Sequence, residues 1–193
     1  KAGARGVWQD AADLLAHLDE ALEIASPGPH HVTWDLLDTL MTEAVAAARE
    51  GLGQGALPFG AVLARSDGDI LGHGCHDRHR RRPQIDHATM VALNQAKGKI
   101  PPGAADLFLV STLEPCIMCT GAALEMNVDT IVYSLNLPVP GGTRRVLPSE
   151  TPGERFPRLI GQVLLEECRS LLKESLAQSS DPNRTAFLQA LLK

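Results

Sequence analysis

The chain has 193 residues, of which 44% are hydrophobic and 21% charged, and carries a net charge of −5. That length suits one compact domain rather than two, and no apolar run approaches the ~20 residues needed to cross a bilayer. The acidic balance argues against a surface built mainly to embrace phosphate, so nucleic acid is not the expected partner.

The basic opening stretch leads into a segment holding Asp10, Asp13, Asp19 and Glu20, which lacks the apolar core of a secretion signal, and a cytoplasmic chain is expected. Residues 7–24 place Val7, Ala11, Leu14, Leu15, Leu18, Ala21 and Leu22 at the spacing of an amphipathic helix, ended by Ser26-Pro27-Gly28-Pro29. This extra N-terminal helix reads as an extension and linker over 1–31. A second helix starts at the N-cap Thr33 and stops at Gly51. Two strands, 59–64 and 69–74, flank the turn Ser66-Asp67-Gly68 as a hairpin. After an irregular basic loop come a helix over 86–98, a strand over 106–112, a helix over 116–126 and a strand over 129–134. A Pro- and Gly-rich stretch over 136–157 then leads to a helix over 158–177 and a tail helix after Asp181-Pro182. Strand–helix alternation after a hairpin predicts an α/β chain: a mixed sheet with helices on both faces.

The cysteines stand at 75, 116, 119 and 168, too few for a disulfide scaffold. Cys116 and Cys119 follow Pro115 at a predicted helix start, so both sulfurs leave one face of the first turn, where free N–H groups favour thiolates. A redox pair uses the same spacing. His87, opening a separate helix, tips the balance towards zinc: one His and two Cys leave a fourth position open, as in a catalytic site. Cys75 and Cys168 lack such neighbours and are expected as buried apolar thiols.

These motifs resemble the zinc-dependent nucleobase and nucleoside deaminases, nearest to the tRNA adenosine, guanine and fungal-type cytosine deaminases. The similarity runs through Leu57-Pro58-Phe59-Gly60-Ala61-Val62, Gly72-His73-Gly74, Asp86-His87-Ala88-Thr89 and Leu113-Glu114-Pro115-Cys116-Ile117-Met118-Cys119. It implies the three-layer cytidine deaminase-like fold, a five-stranded mixed sheet between helices, over residues 32–193. It also implies one Zn held by His87, Cys116 and Cys119, a substrate bordered by Phe59, His76 and Ala88, and a homodimer.

Two positions depart from the family. Its general acid/base is a Glu two residues after the zinc His, moving protons between the attacking water and the ring; here that position is Thr89, whose hydroxyl does not titrate near neutrality. The family also carries a substrate-holding Asn eleven residues ahead of the zinc His, and here that position is His76, which can move a proton. Three accounts of Thr89 stand: a deaminase-like chain that is inactive and acts through a partner, an enzyme altered on purpose, or proton transfer relocated to His76, Glu114 or Asp86. Natural divergence is favoured, because an altered enzyme leaves His76 unexplained.

The leading reading is therefore a zinc-dependent hydrolase that deaminates a small-molecule heterocyclic substrate. Arg78, Arg80, Arg81 and Arg82 crowd the loop before the zinc His; either they are a solvated charge run or, with Arg80 and Arg81 at the pocket, they recognise an anionic substituent. Aromatic residues make up only 4%, scattered along the chain, which offers no evident stacking platform for single-stranded nucleic acid.

Overall fold

Thr33 caps the first described helix as its sequence predicts, its Oγ1 accepting the Leu36 N–H at 3.2 Å. The structure is a computed structural model that describes residues 32–76, 85–139, 141–146 and 156–193. The expected helix over 7–24 and the arginine loop 78–82 lie outside the described residues. Helix α1 spans Trp34–Gly53 and buries the stripe Leu37, Leu40, Met41, Ala44 and Ala48. Strands β1 (Gly60–Arg65) and β2 (Ile70–Cys75) form the expected hairpin, its turn made possible by Gly68 at φ +89°. Then follow α2 (Ala88–Gln95), β3 (Leu107–Leu113), α3 (Ile117–Glu125) and β4 (Thr130–Leu135). The chain ends with α4 (Gly142–Arg145), β5 (Arg158–Ile160), α5 (Leu165–Ala177) and α6 (Pro182–Leu191).

The five strands lie in the order β2-β1-β3-β4-β5, antiparallel across β2/β1/β3 and parallel across β3/β4/β5. On one face Val62, Phe108, Val110 and Val132 pack with α1, α5 and α6 through Leu40, Leu172 and Leu188. On the other, Leu63, Leu71, Leu109 and Ile131 meet Leu93 and Ala96, the latter just beyond α2, and Ala123 of α3. The result is three layers, helix–sheet–helix, as in the cytidine deaminase-like fold.

One expected element is corrected. The helix over 158–177 begins only at Leu165, because Arg158–Ile160 pairs with Thr130–Val132 as the edge strand β5. Arg158 is fixed there by Asp129 at 2.5 Å, and the left-handed backbone at Gln162 and Leu164 separates strand from helix. Apolar residues at 159, 160, 163, 164 and 165 run through both elements, so the periodicity conceals the break. Helix α2 is also shorter than the expected 86–98, the chain turning at Gly98 with φ +80°. The stretch 136–157 contains the short α4. Cys168 is buried as expected, whereas Cys75 is only half-buried.

The Gly72-His73-Gly74 motif has a packing reason. A Cβ on Gly74 would overlap the Ala88 carbonyl oxygen, and one on Gly72 the Ala92 carbonyl oxygen. Helix α2 therefore lies directly on the backbone of β2, which fixes where its first residues, and His87 ahead of them, are held. No helix among the described residues is long and apolar enough to cross a membrane.

Candidate active site and metal centre

The antiparallel β2/β1/β3 arrangement brings the end of β2, the start of β1 and the end of β3 to one edge of the sheet. Gly60 pairs with Cys75, Ala61 with Ser111, and His76 N–H donates to the Phe59 carbonyl at 2.9 Å. The loop leaving β3 enters α3 with Cys116 as its N-cap, and His87 is the N-cap of α2. Two helix starts thus converge on the same point.

There Cys116 Sγ lies 3.5 Å from both His87 Nδ1 and Cys119 Sγ, and Cys119 Sγ lies 3.6 Å from His87 Nδ1. Zinc–sulfur bonds of about 2.3 Å and a zinc–nitrogen bond of about 2.0–2.1 Å at tetrahedral angles require N···S separations of about 3.6 Å and an S···S separation of about 3.8 Å. The three donors are therefore spaced for a tetrahedral ion, and they form the His/Cys/Cys cluster of the described residues suited to hold one. The donor types agree, since one imidazole and two thiolates suit zinc and leave a fourth position open.

Electrostatics favour thiolate in the cluster. Cys116 is driven well below the ordinary thiol value by hydrogen bonding with Cys119 and His87, against the opposing effect of burial. Cys119 moves up because it shares its proton with Cys116 and is buried. His87 moves up through its hydrogen bond to Cys116, against the effect of burial. A cation entering here replaces those shared protons.

Next to the cluster is a cavity of about 170 Å³ bordered by Phe59, His76, Ala88, Thr89 and Glu114. These sequence-predicted residues are brought together with the three metal-ligand candidates, whereas Asp86, the remaining candidate for proton transfer, does not line this cavity and borders a separate space with Met90 and Met118. Arg80 and Arg81 lie outside the described residues. The side chains face in different directions. Thr89 is buried beside Cys119, where its hydroxyl opposes the upward shift of that thiol. His76 stands beside His87, the ring centroids 6.2 Å apart. Glu114 is fully engaged: its carboxylate accepts from Thr143, from the Leu137 N–H at 3.0 Å, and from Arg144 Nε and Nη2 at 3.0 and 2.7 Å. Burial resists its charge, but Arg144, Thr143 and Leu137 together hold the carboxyl below its ordinary value. A carboxylate so saturated is a clamp for the 137–144 segment and is poorly suited to shuttling protons.

Six wall residues were not anticipated as site residues: Leu57, Ser111, Leu113, Pro115, Leu137 and Phe187. Leu57 and Leu137 come from loops. Phe187, on α6, meets Phe59 edge-to-face at 6.1 Å and 80°. Two of the scattered aromatics thus become neighbours across 128 positions of sequence, a pairing that only the docking of the last helix creates.

The cytidine and deoxycytidylate deaminase zinc-binding region model matches residues 35–135. A tRNA(Ile)-lysidine synthase from Deinococcus deserti is 37% identical over 150 residues, 75% of this chain; the chain spans only 27% of that protein's length. A cytosine deaminase from Candida albicans is 31% identical over 132 residues, covering 68% of this chain and 85% of the relative. Among solved structures, guanine deaminase from Nitrosomonas europaea superposes with a TM-score of 0.58 at 21% identity, covering 72% of this chain and 83% of that one, a likeness of fold. With the zinc-binding region matched across more than half its length, and with the sheet order and donor spacing just described, this chain belongs to the cytidine and deoxycytidylate deaminase family.

Proposed function

We propose that the chain is a zinc-dependent hydrolytic deaminase of a small amino-substituted nitrogen heterocycle, with His87, Cys116 and Cys119 as the metal ligands. The observation that carries this reading is the spacing of the three donor atoms, within about 0.3 Å of the tetrahedral values. Bound there, zinc supplies an activated water for attack on the ring carbon that bears the amino group. The chain's own residues do the rest. The apolar walls Phe59, Phe187 and Leu57 hold a flat ring, and the cavity is close to the roughly 150 Å³ that accommodates benzene in a protein core. His76 takes the proton-carrying role: it lines the cavity with its ring centroid 6.2 Å from that of His87, and an imidazole can both accept and donate a proton, whereas the Thr89 hydroxyl does not titrate near neutrality and Glu114 is held in an ion pair with Arg144.

The tRNA(Ile)-lysidine synthase relative, named for tRNA, gives no support to the exclusion of nucleic acid drawn from composition, so the base can arrive free or within RNA. A homodimer and a domain over 32–193, distinct from the preceding extension, complete the proposal.

A second reading has its own observation. Thr89 offers a hydroxyl where the family has a carboxylate, and Glu114 is taken up by Arg144, which leaves a cavity without an available carboxylate among the described residues. This favours a deaminase-like protein that keeps zinc and acts through a partner. Ammonia release from aminopurines and aminopyrimidines, free, as nucleosides and in short RNA, by the zinc-loaded chain and by Thr89→Glu, separates the two. Turnover by the unmodified chain is expected; turnover only in Thr89→Glu establishes the second reading.

A further inference from the structure

Arg144 does not border the cavity, and its side chain is 48% exposed, whereas the Glu114 side chain that it grips is completely buried. A carboxylate is tolerated there only where an opposite charge and hydrogen bonds compensate for lost water. Arg144 supplies both. Its Nε and Nη2 fork onto the two carboxylate oxygens at 3.0 and 2.7 Å, and Nη2 also donates to the Leu137 carbonyl at 3.1 Å.

What this carboxylate fastens reaches the metal cluster. The Leu137 N–H and the Thr143 hydroxyl donate to it as well, so residues on either side of Gly141 and Gly142 are tied to one buried anion. A Cβ on Gly141 would overlap the Glu114 carboxylate, and one on Gly142 would overlap the Cys116 carbonyl and Thr120 Oγ1. Gly142 N–H donates to the Pro115 carbonyl at 2.8 Å, and the Cys116 carbonyl accepts the Thr120 N–H at 2.9 Å. The Cys116 peptide is thereby held from two sides, by its own helix and by Gly142. The contact from Gly142 is made by backbone, but a side chain keeps that backbone in place.

We propose that Arg144 is a positioning residue for the metal centre: by gripping Glu114 it seats Gly142 on the Pro115–Cys116 peptide and so keeps the Cys116 sulfur at its spacing from Cys119 and His87. This role rests on the metal assignment in the proposed function. Without the guanidinium, the buried carboxylate must take up water or a proton, which releases Leu137 and Thr143 and with them the hold of Gly142 on Cys116. Lysine does not replace it, since an ammonium keeps the charge but not the fork.

The test is the zinc affinity of the full chain, measured by competition with a chelator, together with the absorption spectrum of the cobalt(II)-loaded protein, whose thiolate-to-metal bands report the sulfur ligands. Arg144→Met and Arg144→Lys are each expected to weaken zinc binding by about tenfold to a hundredfold, the range for residues that orient metal ligands, and to diminish the thiolate bands. Thr143→Val removes another donor from the same carboxylate but leaves the fork and the Gly142 bond, so it should lower the melting temperature with zinc affinity and cobalt spectrum nearly unchanged. Should Arg144→Met fail to fold, Arg144→Lys decides. Parental zinc affinity in Arg144→Lys overturns the positioning role, because charge alone would then suffice. Zinc binding weakened as far in Thr143→Val as in the Arg144 variants also overturns it, because the affinity would then follow fold stability. Either result leaves the metal assignment intact, whereas no zinc binding by the unmodified chain overturns both.

Discussion

On the metal side of the cavity, backbone sets every position: His87 and Cys116 are N-caps, Cys119 lies one turn into α3, and Gly74 lets α2 rest directly on β2. Even the covering segment is backbone-fitted there, since Gly142 N–H donates to the Pro115 carbonyl at 2.8 Å and a Cβ on Gly142 would overlap the Cys116 carbonyl. On the facing side, His76, Phe59 and Phe187 meet through side chains, and α6 is held partly by the reach of Arg184 to two carbonyls. A metal site needs donors fixed within a few tenths of an ångström, which backbone packing supplies. A wall that selects among flat rings can be assembled from side chains and tolerates exchange.

If that contrast is right, removing one donor has the largest consequence. Cys119→Ala is expected to drop zinc from one per chain to a small fraction, measured by metal analysis of purified protein. It should also lose the stabilisation that a bound ion gives, about 2.7 kcal/mol at a hundredfold excess over Kd, or roughly 5–10 °C in melting temperature. Stoichiometric zinc in this variant would mean that the cluster is not the metal site.

Next in size is His76→Asn, which restores the family residue on the facing wall. With His76 carrying the proton, turnover falls by about 10²- to 10⁴-fold while zinc content and melting temperature stay put. A variant as fast as the parent would remove His76 from the chemistry.

Gly74→Ala tests the backbone side without touching a ligand. The added methyl must displace α2 from β2, costing about 1–3 kcal/mol in denaturant unfolding, and His87 moves with the helix, so zinc affinity measured against a competing chelator should weaken as well. Unchanged zinc affinity despite lost stability would show that the α2 start is positioned independently of its packing on β2.

The same contrast explains what could be read from the chain alone. Cys116 and Cys119 are three apart on one helix start, and His87 is marked by the residues beside it, so the metal cluster was legible from short stretches. The hairpin turn at Gly68 and the cap at Thr33 are local in the same way. Strand β5 was not, because three residues held by the Arg158–Asp129 ion pair and by pairing with β4 carry no periodicity of their own. Nor was the clamp on Glu114, whose partners Thr143 and Arg144 lie 29 and 30 positions on and are set by how α4 folds back. Phe187 was visible as an aromatic and invisible as a wall.

The smallest effect is expected at that wall. Phe187 contributes one edge-to-face contact with Phe59 and part of the apolar border of the cavity. Leucine keeps most of the apolar area but removes the aromatic pair, worth about 0.5–1.5 kcal/mol beyond burial. Phe187→Leu should therefore weaken binding of the preferred heterocycle by roughly threefold to tenfold, raising KM with kcat nearly unchanged, because a wall that holds ground state and transition state alike affects binding uniformly. Zinc content should not move. A fall in kcat at constant KM would mean that Phe187 orients the ring for attack, which would place the facing wall under the same positional demand as the metal side and erase the distinction between them.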